Sequence, residues 1–423
     1  MDNTVRNWYK LDNAAKLFPA IKNRNWMSIF RLSVLLKEPV DPKLLQKALE
    51  TAIKRMPSFA LKMKAGLFWY YLEPNMKKPM AQSDAANPCV RINFSRNRGY
   101  LFRVRYYGRR IALEVFHALS DGSGGIVFLK TLTAEYLKLK GASIPAGKGV
   151  LDCNEKPHPE ELEDGYKRFA KFDKITSRKE SKSYRIKGTP EPVNHLNIIT
   201  GIIPLSDIKD DAKKYGVSIT EYLTTVLMFV LYQMQKKENR SKDAIKISIP
   251  VNLRSYYPTR TLRNFVSVVN PGIDPKYGEY TFDEILTHVH HYMRYETSEK
   301  HMNARLARNV KSEKNIFVRL APLILKNMII NFVFRQSGES RFSSTITNLG
   351  LIEVPIEMKP YIERFDFLLG ASRYNKVNCA VASFGDNMSL NFTRTIKESD
   401  IEREFFTFLV KRGIHVKIES NQK

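Results

Sequence analysis

The chain is short of cysteine: Cys89, Cys153 and Cys379 are 3 in number and far apart. They form no metal-ligand pair and no disulfide framework, which excludes a stapled secreted domain and suits a reducing cytosol. Long apolar runs are missing too. The longest, residues 317–334, is interrupted by Arg319, Pro322 and Lys326, and charges are costly at mid-bilayer. It reads as an amphipathic helix packed in a core. A lipid-surface alternative stands beside that, because Leu320, Leu323, Ile324, Ile329, Ile330 and Phe334 are many bulky groups for one helix. Residues 1–10 carry Asp2, Arg6 and Lys10 with no apolar segment after them, so no secretory leader is expected. Cytoplasmic location, with peripheral membrane association as an option, is the expectation. No repeat, low-complexity tract, zinc-finger spacing, RNP-like strand or Arg-rich tail is visible, so nucleic acid is not an expected partner.

Acidic residues are scarce relative to basic ones, 43 against 69, and the net charge is +26. Anionic partners follow. Residues 166–187 are densest, with nine Lys or Arg against Asp173 and Glu180. Two readings stay open for them: a solvated linker face, or a landing site for phosphates, an acidic acyl-carrier protein or an anionic membrane.

With 423 residues and 43% hydrophobic content, two lobes are expected. The period of the apolar residues predicts strands over 27–36, 67–72, 100–107 and 111–116, the last two as a hairpin. Helices are predicted over 42–54, capped by Asp41, and 126–140. Residues 151–195 are proline-punctuated and basic, a connector between an N-terminal lobe (1–150) and a C-terminal lobe (196–423). The second lobe is predicted to hold strands over 196–204, 245–251, 342–349, 365–369, 378–384 and 388–395. Its helices are predicted over 205–215, 220–235 (capped by Ser218), 282–309, 315–334 and 398–412. Strands and helices mix in both halves, so the class is an α/β sandwich in two lobes.

The most specific signal is His117-Ala118-Leu119-Ser120-Asp121-Gly122, at the end of a strand and the start of a Gly-rich helix. With 8 histidines, HxxxD alone is expected about 0.4 times by chance, and HxxxDG about 0.02 times, so the longer motif carries weight. The bland alternative is a buried histidine in a turn, with Asp121 as a helix N-cap. A helix N-terminus beside His117 favours negative charge and a neutral imidazole, the form a general base requires.

Further signals follow in order: Ser218-Ile219-Thr220, Pro250-Val251-Asn252-Leu253-Arg254, Asn264-Phe265-Val266 and the polar run Ser343 to Gly350. Together with HxxxDG they resemble the CoA-dependent acyltransferase superfamily with the chloramphenicol-acetyltransferase-like fold. Alcohol acetyltransferases, polyketide-associated acyltransferases, plant HxxxD acyltransferases and peptide-synthetase condensation domains belong to that superfamily. The chain looks closest to bacterial alcohol acetyltransferases.

The resemblance implies a two-lobed α/β sandwich with a tunnel between the lobes. It implies an acyl group, acetyl for preference, passed from acyl-CoA (acetyl-CoA) to a hydroxyl or amine, with no metal. His117 would be the general base. Asp121 would pair with Arg254 and fix the loop, and Gly122 would permit the turn into the helix. Ser344, Thr345 and Thr347 are the undivided candidates for donating to the oxyanion. The acceptor would be a small molecule, a lipid or a saccharide. The alternative is a non-catalytic member that binds an acyl-carrier protein or anionic lipid through its basic face. Two departures shape the comparison. The second histidine of condensation domains is replaced by Phe116, and the plant DFGWG motif is reduced at best to Ser383-Phe384-Gly385-Asp386.

Overall fold

The computed structural model describes residues 8–23, 26–171, 181–238, 242–314, 319–337, 339–372 and 375–422. Of the basic segment, Lys174, Arg178 and Lys179 lie outside these residues. Lys167 is ion-paired with Asp164 and Glu313, and Arg168 with Glu160 and Glu163, so part of the segment is locally neutralised.

The hairpin predicted around Gly108 forms as Phe102–Tyr107 against Arg110–Phe116. Ile29–Leu36 pairs with its second arm, and Ala81–Ser83 runs parallel to the first. The outer edge of this five-stranded sheet comes from far down the chain: Ile362–Leu369 pairs antiparallel with Ile29–Leu36. Residues 352–384 accordingly contribute Ile352, Phe365 and Ala380 to the core built on the first half.

The second sheet has eight strands. Its main path runs Val266–Val269, Ile245–Asn252, Ser344–Leu351, Val377–Phe384, Asn387–Arg394, Asn197–Pro204, Lys417–Ser420. The first and the last of these were not anticipated from the sequence. A separate core packs against this sheet under the helix Ile219–Glu238. That helix begins in a capping box, with the Ser218 hydroxyl and the Glu221 carboxylate each accepting from the other's backbone N–H. Two layered cores, each a sheet covered by helices, make the α/β sandwich.

Three local predictions are corrected. The helix expected over 282–309 is two, Phe282–Glu296 and Glu299–Lys314. At the break the Thr297 hydroxyl donates to Met293 O and the Ser298 hydroxyl to Tyr295 O, local bonds that compete with the helical ladder. The strand expected over 67–72 is Tyr70–Pro74, while Leu67 and Phe68 are exposed at the tip of its hairpin with Leu61–Ala65. The helix expected over 315–334, whose first residues 315–318 are not described, is Leu323–Ser337, and most of its bulky apolar side chains face out of the core.

Candidate active site

Three segments meet at His117. Its backbone N–H donates to Ser28 O at 2.9 Å, which carries the hairpin arm Arg110–Phe116 one residue beyond its strand. The chain then turns, and Asp121 caps the helix Gly122–Leu139 by accepting from Gly124 N at 3.0 Å. Gly122, at the turn into the helix, shows no left-handed φ. The close approach is at Gly124, where a Cβ would stand 2.1 Å from the Leu262 carbonyl oxygen, so the helix can start against the second half only with glycine.

Asp121 and Arg254 are brought together. Oδ2 of Asp121 accepts from Arg254 Nη1 at 2.8 Å and from Phe265 N at 2.8 Å. Arg254 also donates to the Thr261 and Arg263 carbonyls. One buried carboxylate thus ties the helix start of the first half to the 252–265 loop of the second, with its hydrogen bonds going to Arg254 and to the backbone N–H groups of Gly124 and Phe265.

That loop also delivers Asn264, the residue whose role was not visible in the sequence. Its Nδ2 donates to His117 O at 3.0 Å and to Asp12 Oδ2 at 3.2 Å. Both partners are acceptors, so Oδ1 is the amide atom that faces His117 Nδ1, at 3.0 Å. A carbonyl oxygen only accepts; Nδ1 therefore carries the proton, and Nε2 is left with a lone pair. Asp12 is anchored by Ala15 N and lies 3.6 Å from Arg263 Nε, and burial pushes its carboxyl up to about 6 against the pull of Arg263.

The imidazole is stacked on Phe18, with ring centroids 4.5 Å apart, and meets Phe30 edge-on at 5.2 Å. Burial lowers its pKa below the ordinary 6.5, while the Asp121 charge and the Asn264 bond oppose the shift. As a residue His117 is half-buried. Phe116, by contrast, is fully buried and packs near Phe94.

The three candidate hydroxyls separate. Ser344 is fully buried and its hydroxyl donates to Val377 O at 2.8 Å, on the strand face that sends Ile346 into the second core. Thr345 and Thr347 alternate onto the opposite face and are half-buried. Two residues on, Leu349 packs toward Gly122, where its Cδ2 would lie 3.1 Å from an added Cβ. Thr345 and Thr347 keep the open face; Ser344 does not.

Leu11 and Lys16, from the segment that carries Asp12 and Phe18, line a cavity of about 880 Å³ walled by Trp8, Phe68, Trp69 and Tyr70. Its charged lining is mixed: Lys10, Lys16, Lys167 and Arg319 stand with Glu73 and Glu313, and Glu313 is paired with both Lys16 and Lys167. Among the described residues no cluster of His, Cys, Asp or Glu is arranged to hold a metal ion.

A family model for alcohol acetyltransferase matches residues 167–411. No curated protein sequence matches the chain. Among solved structures it is similar to polyketide synthase associated protein 5 from Mycobacterium tuberculosis, with 14% identity, TM-score 0.60 and coverage of 95% of this chain and 96% of that one. It is similar to trichothecene 15-O-acetyltransferase from Fusarium sporotrichioides, with 11% identity, TM-score 0.62 and 97% of each chain covered. The first condensation domain of the calcium-dependent antibiotic synthetase aligns at 12% identity and TM-score 0.64, over 98% of this chain and 100% of that one. Identities this low speak to the fold, and the fold they share is the expected one.

Proposed function

The chain belongs to the alcohol acetyltransferase family, and from that premise we propose that it transfers an acyl group from acyl-CoA to an alcohol or amine, with His117 as general base. The observation that carries the proposal is the Nδ1–H of His117 held by Asn264 Oδ1, which leaves Nε2 as the proton acceptor. The acceptor's O–H or N–H proton would pass to Nε2 as the new bond to the thioester carbonyl forms. The imidazolium would then return that proton to the departing thiolate. No enzyme acyl intermediate is required, and the absence of a G-x-S-x-G elbow agrees with that.

A neutral imidazole in this role supplies roughly 10²–10⁴-fold. The lowered pKa of His117 keeps that form populated at neutral pH. Thr345 or Thr347 would donate to the oxyanion. The aromatic cavity, which His117 does not itself line, supports an apolar acceptor or acyl chain lying beside the site.

The test is thiol release from a panel of acyl-CoA chain lengths in the presence of alcohols, glycolipids and saccharides. Acceptor-dependent release by the wild type, lost in His117→Ala, is expected. Full activity in His117→Ala overturns the mechanism.

A further inference from the structure

The helix Leu323–Ser337 leaves most of its large apolar side chains uncovered while its polar ones face the protein. Its polar side chains hold it to the protein. Lys326, 3% exposed, donates to the Phe68 carbonyl at 2.8 Å and lies 3.5 Å from the Trp69 ring centroid. Asn327 donates to the Tyr70 hydroxyl and Asn331 to the Ala20 carbonyl. Most of its large apolar side chains point away: Ile324 is 79% exposed, Met328 66% and Phe332 61%, with Leu325 and Ile329 also exposed. At helical spacings these five form one continuous stripe, and Leu320, exposed just before the helix, adds to the apolar surface.

The stripe continues onto the tip of the neighbouring hairpin. Leu323 N donates to Leu67 O at 2.9 Å, and Leu67 is itself 74% exposed. An apolar surface of this kind on a chain with so many charges needs a partner.

We propose that this face docks flat on the surface of an anionic lipid bilayer. Three observations select that occupant. The helix has 15 residues, so at the helical rise it is about 22 Å long, too short to span about 30 Å of hydrocarbon, but suited to lie along its boundary. The chain carries +26, with Arg319 exposed four residues before the helix and Lys64 exposed on the hairpin whose tip adjoins it. That charge draws it to anionic headgroups and works against pairing with an identical copy. Finally, Phe68 and Arg319 also line the 880 Å³ cavity, so the stripe is continuous with the cavity mouth. The docking is separate from the basic connector and does not depend on acyl transfer.

The experiment is flotation of the full chain with vesicles of phosphatidylglycerol and phosphatidylcholine, or of phosphatidylcholine alone. Two double variants are compared, I324E/I329E and M328E/F332E, with thermal melting and sedimentation velocity recorded for each. The wild type is expected to float with the anionic vesicles, and the folded variants to bind at least about tenfold less with unchanged melting. Thioester turnover with a water-soluble acceptor is expected to stay at the wild-type level, so loss of docking and loss of catalysis are read apart. Failure of the wild type to float overturns the proposal, as does equal flotation of wild type and a folded variant. A dimer that the substitutions break, without vesicle binding, overturns it and assigns the face to a second copy.

Discussion

Asn264 Oδ1 stands 3.0 Å from His117 Nδ1, although the two residues are 147 positions apart in the chain. The second half of the molecule thereby sets which ring nitrogen of a first-half histidine is free to accept a proton.

Asn264 variants test this by opposite shifts in pH dependence. Activity requires the neutral ring, so it falls on acidification through the His117 pKa, which lies below 6.5. The Asn264 bond raises that pKa, so Asn264→Ala is expected to move the acid limb to lower pH. The plateau of kcat should also fall, by about 10²-fold from lost orientation, with little change in KM. Asn264→Asp adds a negative charge and should move the limb to higher pH. Identical pH profiles in all three proteins would show that Asn264 does not hold the ring.

The oxyanion donor is sought by valine substitution. Thr345→Val or Thr347→Val is expected to cost roughly 10²–10³-fold in kcat, whichever residue is the donor. Ser344→Ala should leave kcat near wild type, because its hydroxyl is already given to Val377 O. Steady-state thiol release distinguishes them, and a collapse confined to Ser344→Ala would reverse the assignment.

Removing the Arg254 side chain leaves the Asp121 carboxylate buried without its cation. Arg254→Ala is expected to lose about 3–5 kcal/mol in urea unfolding. Asp121→Asn, which keeps an acceptor for Gly124 N, should lose less. Wild-type melting and activity in Asp121→Asn would remove its structural role.

Glu114, on the hairpin arm three residues before His117, offers a pH-dependent stability test. It is fully buried in the hairpin among Arg31, Arg103 and Arg105. Burial acts to raise its pKa, but Arg103 and Arg31 outweigh that and hold it below the ordinary 4.5. A depressed carboxyl stabilises the fold above its unfolded pKa, and the contribution is lost as pH falls through the folded value. Glu114→Gln should therefore be less stable by about 3–5 kcal/mol at pH 7, and the gap should narrow on acidification below 4.5. A gap that stays constant with pH would assign the loss to packing.

Much of this was legible in neighbouring residues. Asp41 caps Pro42–Arg55 as its position suggests, accepting from Lys43 N and Leu44 N. The alternation in 111–116 gives a strand, and the turn at Gly108 gives its hairpin. The pairing of Asp121 with Arg254, expected from resemblance, is present as an ion pair. Asp12 and Phe18 were not legible, because no period or cap marks a residue that serves a ring a hundred positions away. The break at Thr297 was missed because the apolar spacing runs on through it.

The sequence by itself determined most of the strands and helices and the caps at Asp41 and Ser218, since those depend on contacts within a few residues. It also marked the HxxxDG turn, whose six residues are contiguous. Tertiary structure alone decided that Ile362–Leu369 completes the first sheet and that Asn264 selects the His117 tautomer. It also decided that the stripe of Ile324 and Phe332 faces outward. A hydrogen bond between distant segments, and the side of a helix left uncovered, are fixed by where the rest of the chain packs, and periodicity carries no record of that.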